Sequence, residues 1–93
     1  MKLITVEAKV TEADTAVSLF NVQADSVRAM AGCSTYQIYC GSQDDSIAIV
    51  QQWESPEDFE AYRTSDTFAA LGQGLMPLMN GPPVTTVAEV DSV

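Results

Sequence analysis

Apolar residues recur along this chain at two different spacings, and the order of those spacings restricts its fold more than any other feature. From Ile4 to Val10 they alternate. Ile4, Val6, Ala8 and Val10 point one way, and Leu3, Thr5, Glu7 and Lys9 the other, which predicts a strand with one strongly apolar face. Ala13, Ala16, Val17, Phe20, Ala24 and Val27 then recur at helical spacing, behind a variant capping box at Thr11-Glu12-Ala13-Asp14. Gly32 stands where a left-handed helix stop belongs. Cys33 to Cys40 is rich in Thr, Tyr and Ile and reads as a second strand. Gly41 to Asp45 is a turn cluster and Ser46 to Glu54 a third strand, completing a hairpin. At Ser55-Pro56-Glu57-Asp58 serine caps a short helix, proline fits its first position, and the carboxylates favour the positive end of its dipole. A second start at Ser65-Asp66 leads into a stripe of Phe68, Leu71, Leu75 and Leu78, made irregular by Gly72, Gly74 and Pro77. Gly81-Pro82-Pro83 breaks that helix, and Val84 to Val90 reads as a last strand.

Strand, helix, strand, strand, helices, strand is the order of a ferredoxin-like α+β fold, with a four-stranded antiparallel sheet carrying its helices on one face. The 93 residues leave room for one such domain, over 1–93, and no second core. The sheet face away from the helices is bare in a monomer. Reading Ile4, Val6, Ala8 and Val10 as an apolar surface on that bare face predicts a face-to-face partner, hence a homodimer.

Charge and composition then narrow the chemistry. Four Lys and Arg against thirteen Asp and Glu give a formal charge of −9, which repels a phosphate backbone and an anionic bilayer, so neither nucleic acid nor membrane is expected as a partner. There is no histidine, which removes an imidazole base, Ser-His or Cys-His activation and histidine metal ligation. Cys33 and Cys40 lie seven apart on one strand, a spacing that sends them to opposite faces and argues against a bridge. No cysteine pair has ligand spacing and no glycine-rich phosphate loop follows a strand, so no metal, haem or flavin is expected. MKLITVEAKV lacks a long apolar run and a cleavage pattern, which makes the cytoplasm the expected location.

Three segments carry a resemblance: Ala31-Gly32-Cys33-Ser34-Thr35-Tyr36-Gln37-Ile38-Tyr39, the junction Gln52-Trp53-Glu54-Ser55-Pro56-Glu57, and Gly81-Pro82-Pro83-Val84 ahead of the last strand. Together they resemble the antibiotic biosynthesis monooxygenase family across nearly the whole chain, in order and at the expected spacing. The resemblance implies a dimeric α/β barrel in which two sheets pack face to face and the last strand reaches toward the partner. Family members include cofactor-independent monooxygenases of aromatic polyketides or quinols, haem-degrading monooxygenases, and isomerases of small metabolites. The strand tryptophan that lines the pocket in many members is matched by Trp53. The asparagine of the polyketide monooxygenases falls on Ile49 and their pocket tyrosine on Phe59. In the haem-degrading branch the first-strand asparagine falls on Glu7 and the axial histidine on or near Arg63, so haem ligation of that kind is not expected here.

The residues themselves predict a pocket between helices and sheet, the alternative being that the same aromatics fill that space as core and leave no cavity. Trp53 serves as a packing anchor and as a wall, and Ile47, Ile49 and Gln51 share its strand face, giving an apolar surface with a single amide. Phe59 and Tyr62, then Phe68 and Leu71, project at helical spacing from two successive helices. A hairpin loop of Ser42 to Asp45 adds Tyr36, Ile38 and Cys40 to the same face; a slip of one residue adds Tyr39 instead. Arg63 reads either as a helix-end cation paired with an acid or as the group that stabilises a substrate oxyanion. Glu7 reads as a solvated or Lys9-paired carboxylate, or, if its face meets the helices, as a buried base. The expected site therefore has Trp53, Arg63 and Glu7 as catalytic candidates. Ile49, Gln51, Phe59, Tyr62, Phe68 and Leu71 are expected to bind a small aromatic molecule. The expected activity is cofactor-independent monooxygenation of a phenol, quinol or polyketide-like substrate. The alternatives are a non-catalytic binding protein on the same scaffold, and an isomerase or lyase using Glu7.

Overall fold

A computed structural model describes residues 1–41 and 45–91. Its elements follow the expected order: β1 (Lys2–Lys9), α1 (Ala13–Arg28), β2 (Cys33–Cys40), β3 (Ser46–Trp53), α2 (Pro56–Arg63), α3 (Asp66–Leu75) with a 3₁₀ turn over Met76–Leu78, and β4 (Val84–Glu89). The four strands form one antiparallel sheet in the order β2-β3-β1-β4, so the first and third strands are central. The fold is ferredoxin-like α+β, with α1, α2 and α3 on one face of the sheet. Among the described residues no helix is long and apolar enough to cross a membrane.

Register fixes which side chains meet the helices. Ile4 pairs with Gln51, Val6 with Ile49 and Ala8 with Ile47 across β1 and β3, while Tyr36, Ile38 and Cys40 of β2 pair with Gln51, Ile49 and Ile47. Paired residues share a face. That face is buried: Ile4, Ala8, Val10, Ile47, Ile49 and Trp53 join Ala16, Phe20, Ala24 and Val27 of α1 in one core. Phe20 stacks on Tyr36 with ring centroids 4.6 Å apart, which seats α1 over β2 and β3. Of the two registers open from sequence, the structure has the one that turns Tyr36 inward. Tyr39 points out and is 56% exposed. Residues 42–44 of the expected turn lie outside the described residues.

This register corrects the reading of β1. The apolar row Ile4, Val6, Ala8 and Val10 meets the helices and does not form a bare second surface. The face opposite carries Leu3, Thr5, Glu7 and Lys9, with Val50 and Gln52 of β3 and Val84, Thr86 and Ala88 of β4 beside them. A sheet with helices on one side has one apolar face to give them, and β1 spends its strongest side there. Glu7 is accordingly exposed and does not reach the helix layer.

Local signals are realised unevenly. Ser55 and Ser65 cap α2 and α3, accepting the Asp58 and Phe68 N–H at 3.2 Å each. The expected capping box of α1 is absent: Glu12 occupies the cap position without a side-chain bond, and the Thr11 hydroxyl instead donates to the Leu78 carbonyl at 3.3 Å. Gly32 is left-handed, with φ of 82°, in the turn closed by the Cys33 N–H on the Met30 carbonyl. A bulge between Cys33 and Thr35 shifts strand parity, so Cys33 and Cys40 pair with Trp53 and Ile47 on one face. They lie near opposite ends of β2, roughly 20 Å apart at ordinary strand rise, and both are free thiols.

Candidate functional site

A cavity of about 620 Å³ opens between α2 and α3 on one side and β1, β3 and β4 on the other. Its geometry begins at the end of β3. Trp53 is wholly buried, and its ring stacks on Tyr62 of α2 with centroids 5.3 Å apart. Tyr62 in turn meets Phe68 of α3 edge-on, also at 5.3 Å, and Phe59 leans against Trp53 at 6.4 Å. The Ser55 and Ser65 caps set the phase of the two helices, so Phe59, Tyr62 and Phe68 converge on one wall. Leu71 and Leu75 extend that wall, and Ile4, Val6 and Ile49 form the sheet side.

Polar groups in this lining are few. Gln51 is the only buried side-chain amide among the described residues, at 3% exposure, and its carbonyl oxygen accepts the Trp53 indole N–H at 2.8 Å. Tyr62 shares a hydrogen bond with Tyr36, and burial together with that bond pushes its phenol well above the usual tyrosine range. Arg63, the last residue of α2, stands at the cavity's edge, more than half exposed, and pairs with Glu60 at 3.6 Å. Thr85 and Val87 of β4 close the remaining side.

Of the residues expected from sequence, Ile49, Gln51, Phe59, Tyr62, Arg63, Phe68 and Leu71 lie together on this cavity. Trp53 lies behind the wall, reaching the cavity through Gln51 and Tyr62. Glu7 is not on it. That carboxylate belongs to the other face of β1, and it edges a second depression of about 540 Å³ at one end of the sheet, lined from both faces by residues that include Lys9, Cys40 and Val84. Sequence reasoning missed Thr85 and Val87. Their strand alternates without a clear apolar side, and only the pairing of Ile4 with Val87 and Val6 with Thr85 turns them toward the helices.

The family profile of antibiotic biosynthesis monooxygenase matches residues 1–73, from β1 through most of α3. The chain belongs to the antibiotic biosynthesis monooxygenase family. Solved structures share its fold at low identity. An antibiotic biosynthesis monooxygenase superposes with a TM-score of 0.88 at 10% identity, covering 99% of this chain and 100% of the other. A Caulobacter crescentus protein described as a candidate member gives 0.90 at 21%, covering 98% and 90%. A conserved protein from Methanosarcina mazei gives 0.89 at 12%, covering 97% and 92%. No curated protein matches the sequence.

Within the family, the departures at three positions now have a structural meaning. Ile49, which the resemblance matches to the asparagine of the polyketide monooxygenases, adds to the apolar floor, and Phe59, which it matches to their tyrosine, adds to the wall. Arg63, at or near the axial histidine position of the haem-degrading branch, presents a guanidinium with no lone pair for iron, so it does not fit that role. Among the described residues no group of three His, Cys, Asp or Glu side chains could hold a metal ion.

Proposed function

We propose that this protein is a cofactor-independent monooxygenase acting on a small, electron-rich aromatic substrate, a phenol or quinol, bound in the cavity beneath α2 and α3. The observation that carries the reading is the lining itself: a largely apolar cavity walled by Phe59, Tyr62 and Phe68, with one buried amide and one cation at its edge. Such a site holds a ring and excludes water while offering little acid-base machinery. A phenol needs little. Its ring supplies all four electrons: one oxygen atom of O₂ replaces two hydrogens' worth of reducing power as a quinone carbonyl, and the other leaves as water. The chain's part is to orient the ring and stabilise the phenolate from which electrons depart, and Arg63 is the cation available for that charge.

The active form in this reading is a homodimer built on the bare sheet face. Every residue of β4 is exposed in the single chain, including Val84 at 61%, which leaves an edge strand and an adjoining face for a second copy to cover. The isomerase alternative loses its support, because Glu7, its proposed base, is not on the cavity.

Incubation with naphthols and anthrones under ¹⁸O₂ tests the reaction. We expect one labelled atom in the product, one in water, and no product under argon. Saturable quenching of Trp53 fluorescence without oxygen-dependent product would instead identify a binding protein.

A further inference from the structure

We infer that Gln51 is a fixed hydrogen-bond donor that selects ligands carrying an acceptor oxygen, a ring carbonyl or a phenolate, at the β3 wall of the cavity. The inference rests on the reading of this cavity as an aromatic site and adds the ligand atom it reads. Its basis is the contact between Gln51 and Trp53. An indole N–H can only donate, so the atom it meets at 2.8 Å is the amide oxygen. That contact removes the usual ambiguity of a glutamine side chain and leaves the NH₂ end on the far side. Trp53 is itself held immobile, wholly buried and stacked on Tyr62, so the amide plane is anchored at a rigid point.

The NH₂ end has no hydrogen-bond partner within the described chain, yet it is not among the polar atoms sealed from solvent without a partner. Gln51 lines the cavity, and its neighbours on the sheet side, Ile4 and Ile49, are hydrocarbon. Two N–H donors therefore face a largely apolar cavity in which, among the described residues, no side chain meets them and only solvent is left to do so. A buried donor left unmet is costly, and a ligand that meets it gains selectivity over one that does not. Oxygen acceptors satisfy the site; a hydrocarbon ring of equal shape does not.

The test uses two bicyclic probes, 1-tetralone and tetralin, which share a carbon skeleton and differ by one acceptor oxygen. Their Kd values are measured by Trp53 fluorescence on the intact protein, on Gln51→Met and on Gln51→Glu. The glutamate variant, assayed at a pH where its carboxyl is ionised, keeps an oxygen for the Trp53 N–H and has no donor to offer a ligand, and circular dichroism checks that its fold is retained. We expect the ratio of the tetralone Kd to the tetralin Kd to rise about five- to tenfold in both variants, the scale of one net hydrogen bond. In the wild-type protein the side-chain ¹⁵N-amide resonance of Gln51 should shift with tetralone and stay in place with tetralin. An unchanged Kd ratio, or equal shifts with both probes, overturns the donor role while leaving an aromatic-binding cavity intact. Failure of the oxygenation experiment, by contrast, leaves this binding preference unaffected.

Discussion

The hydroxyl oxygens of Tyr36 and Tyr62 lie 2.5 Å apart in the core, joining β2 to α2 beneath the cavity wall. The Gln23 amide of α1 donates to the Tyr36 oxygen at 3.2 Å, so three elements meet on one short polar row. Both phenols are pushed upward. Burial is the main cause for each, and for Tyr62 the bond to Tyr36 adds to it. Both rings are therefore neutral at physiological pH, and the pair holds α2 over the sheet without burying a charge.

Stability should fall steeply in alkali for this reason. An acid whose folded-state pKa is raised binds more protons folded than unfolded once the pH passes its unfolded value, near 10 for tyrosine. Its contribution is complete below about pH 10 and is lost as the pH rises toward the folded value. Each of the two tyrosines contributes a slope of up to about 1.4 kcal/mol per pH unit in that window. Urea unfolding between pH 8 and 11.5 checks this, and the Tyr36→Phe/Tyr62→Phe double variant should flatten the slope. Tyr62→Phe alone should cost about 1–2 kcal/mol at neutral pH, with the double variant losing less than the sum of the singles.

The proposed dimer makes a different demand. Val50 lies on the bare face of β3, between Thr5 of β1 and Gln37 of β2. Val50→Glu should dissociate the dimer while leaving the monomer folded, because the charge meets solvent once the partner leaves. Val6→Glu should unfold the subunit, because Val6 faces the helices. Sedimentation velocity with circular dichroism separates the two, and a wild-type monomer at micromolar concentration would refute the assembly.

The contrast between Val50 and Val6 also marks how far sequence carried the fold. Elements were legible wherever a residue has one local use: Ser55-Pro56 and Ser65 start helices by mechanisms that act within four residues, and alternation in β1 needs only its own neighbours. The direction of the apolar face was not legible, because period two says that sides differ without saying which meets the helices. The partner of Tyr36 depended on hairpin register, and the faces of Cys33 and Cys40 on a bulge that leaves no periodic trace. Most of the cavity was readable from helical spacing off α2 and α3. The β4 contribution was not, since it rests on pairing between residues about 80 positions apart.

Arg63 should matter to turnover and hardly at all to stability. Its pair with Glu60 is exposed on both sides and spans one helical turn, a geometry worth under about 0.5 kcal/mol. Arg63→Ala should therefore leave the midpoint of thermal unfolding within a degree or two while lowering kcat on phenolic substrates by roughly a hundredfold, the low end for a lost charge-stabilising donor because the guanidinium is half exposed. Turnover unchanged across every accepted substrate would remove Arg63 from the mechanism.

Gly32 should be the least replaceable glycine. Its φ of 82° is a region that an L side chain enters at a cost of about 1–2 kcal/mol. The space is closed as well: a Cβ there would stand 2.1 Å from Asp58 Oδ2 and 2.7 Å from Asp58 Cβ. Asp58 cannot move away freely, because its carboxylate accepts the Ser55 hydroxyl at 2.9 Å and its N–H is the one Ser55 caps. The Gly32 carbonyl also receives the Glu54 N–H at 2.9 Å, tying the start of β2 to the approach of α2. Gly32→Ala must therefore strain the turn and loosen the cap that orients Phe59 and Tyr62, for a combined loss of about 2–3 kcal/mol. For a domain of this length that lowers Tm by roughly 10–20 °C. Gly72→Ala is the matched control, since a Cβ there meets nothing within 4 Å and the residue sits inside α3. Helix propensity alone should make that variant more stable by up to about 1 kcal/mol. Differential scanning calorimetry of the two variants should move Tm in opposite directions; a Gly32→Ala protein melting with the wild type would mean that the turn and the α2 cap are not coupled.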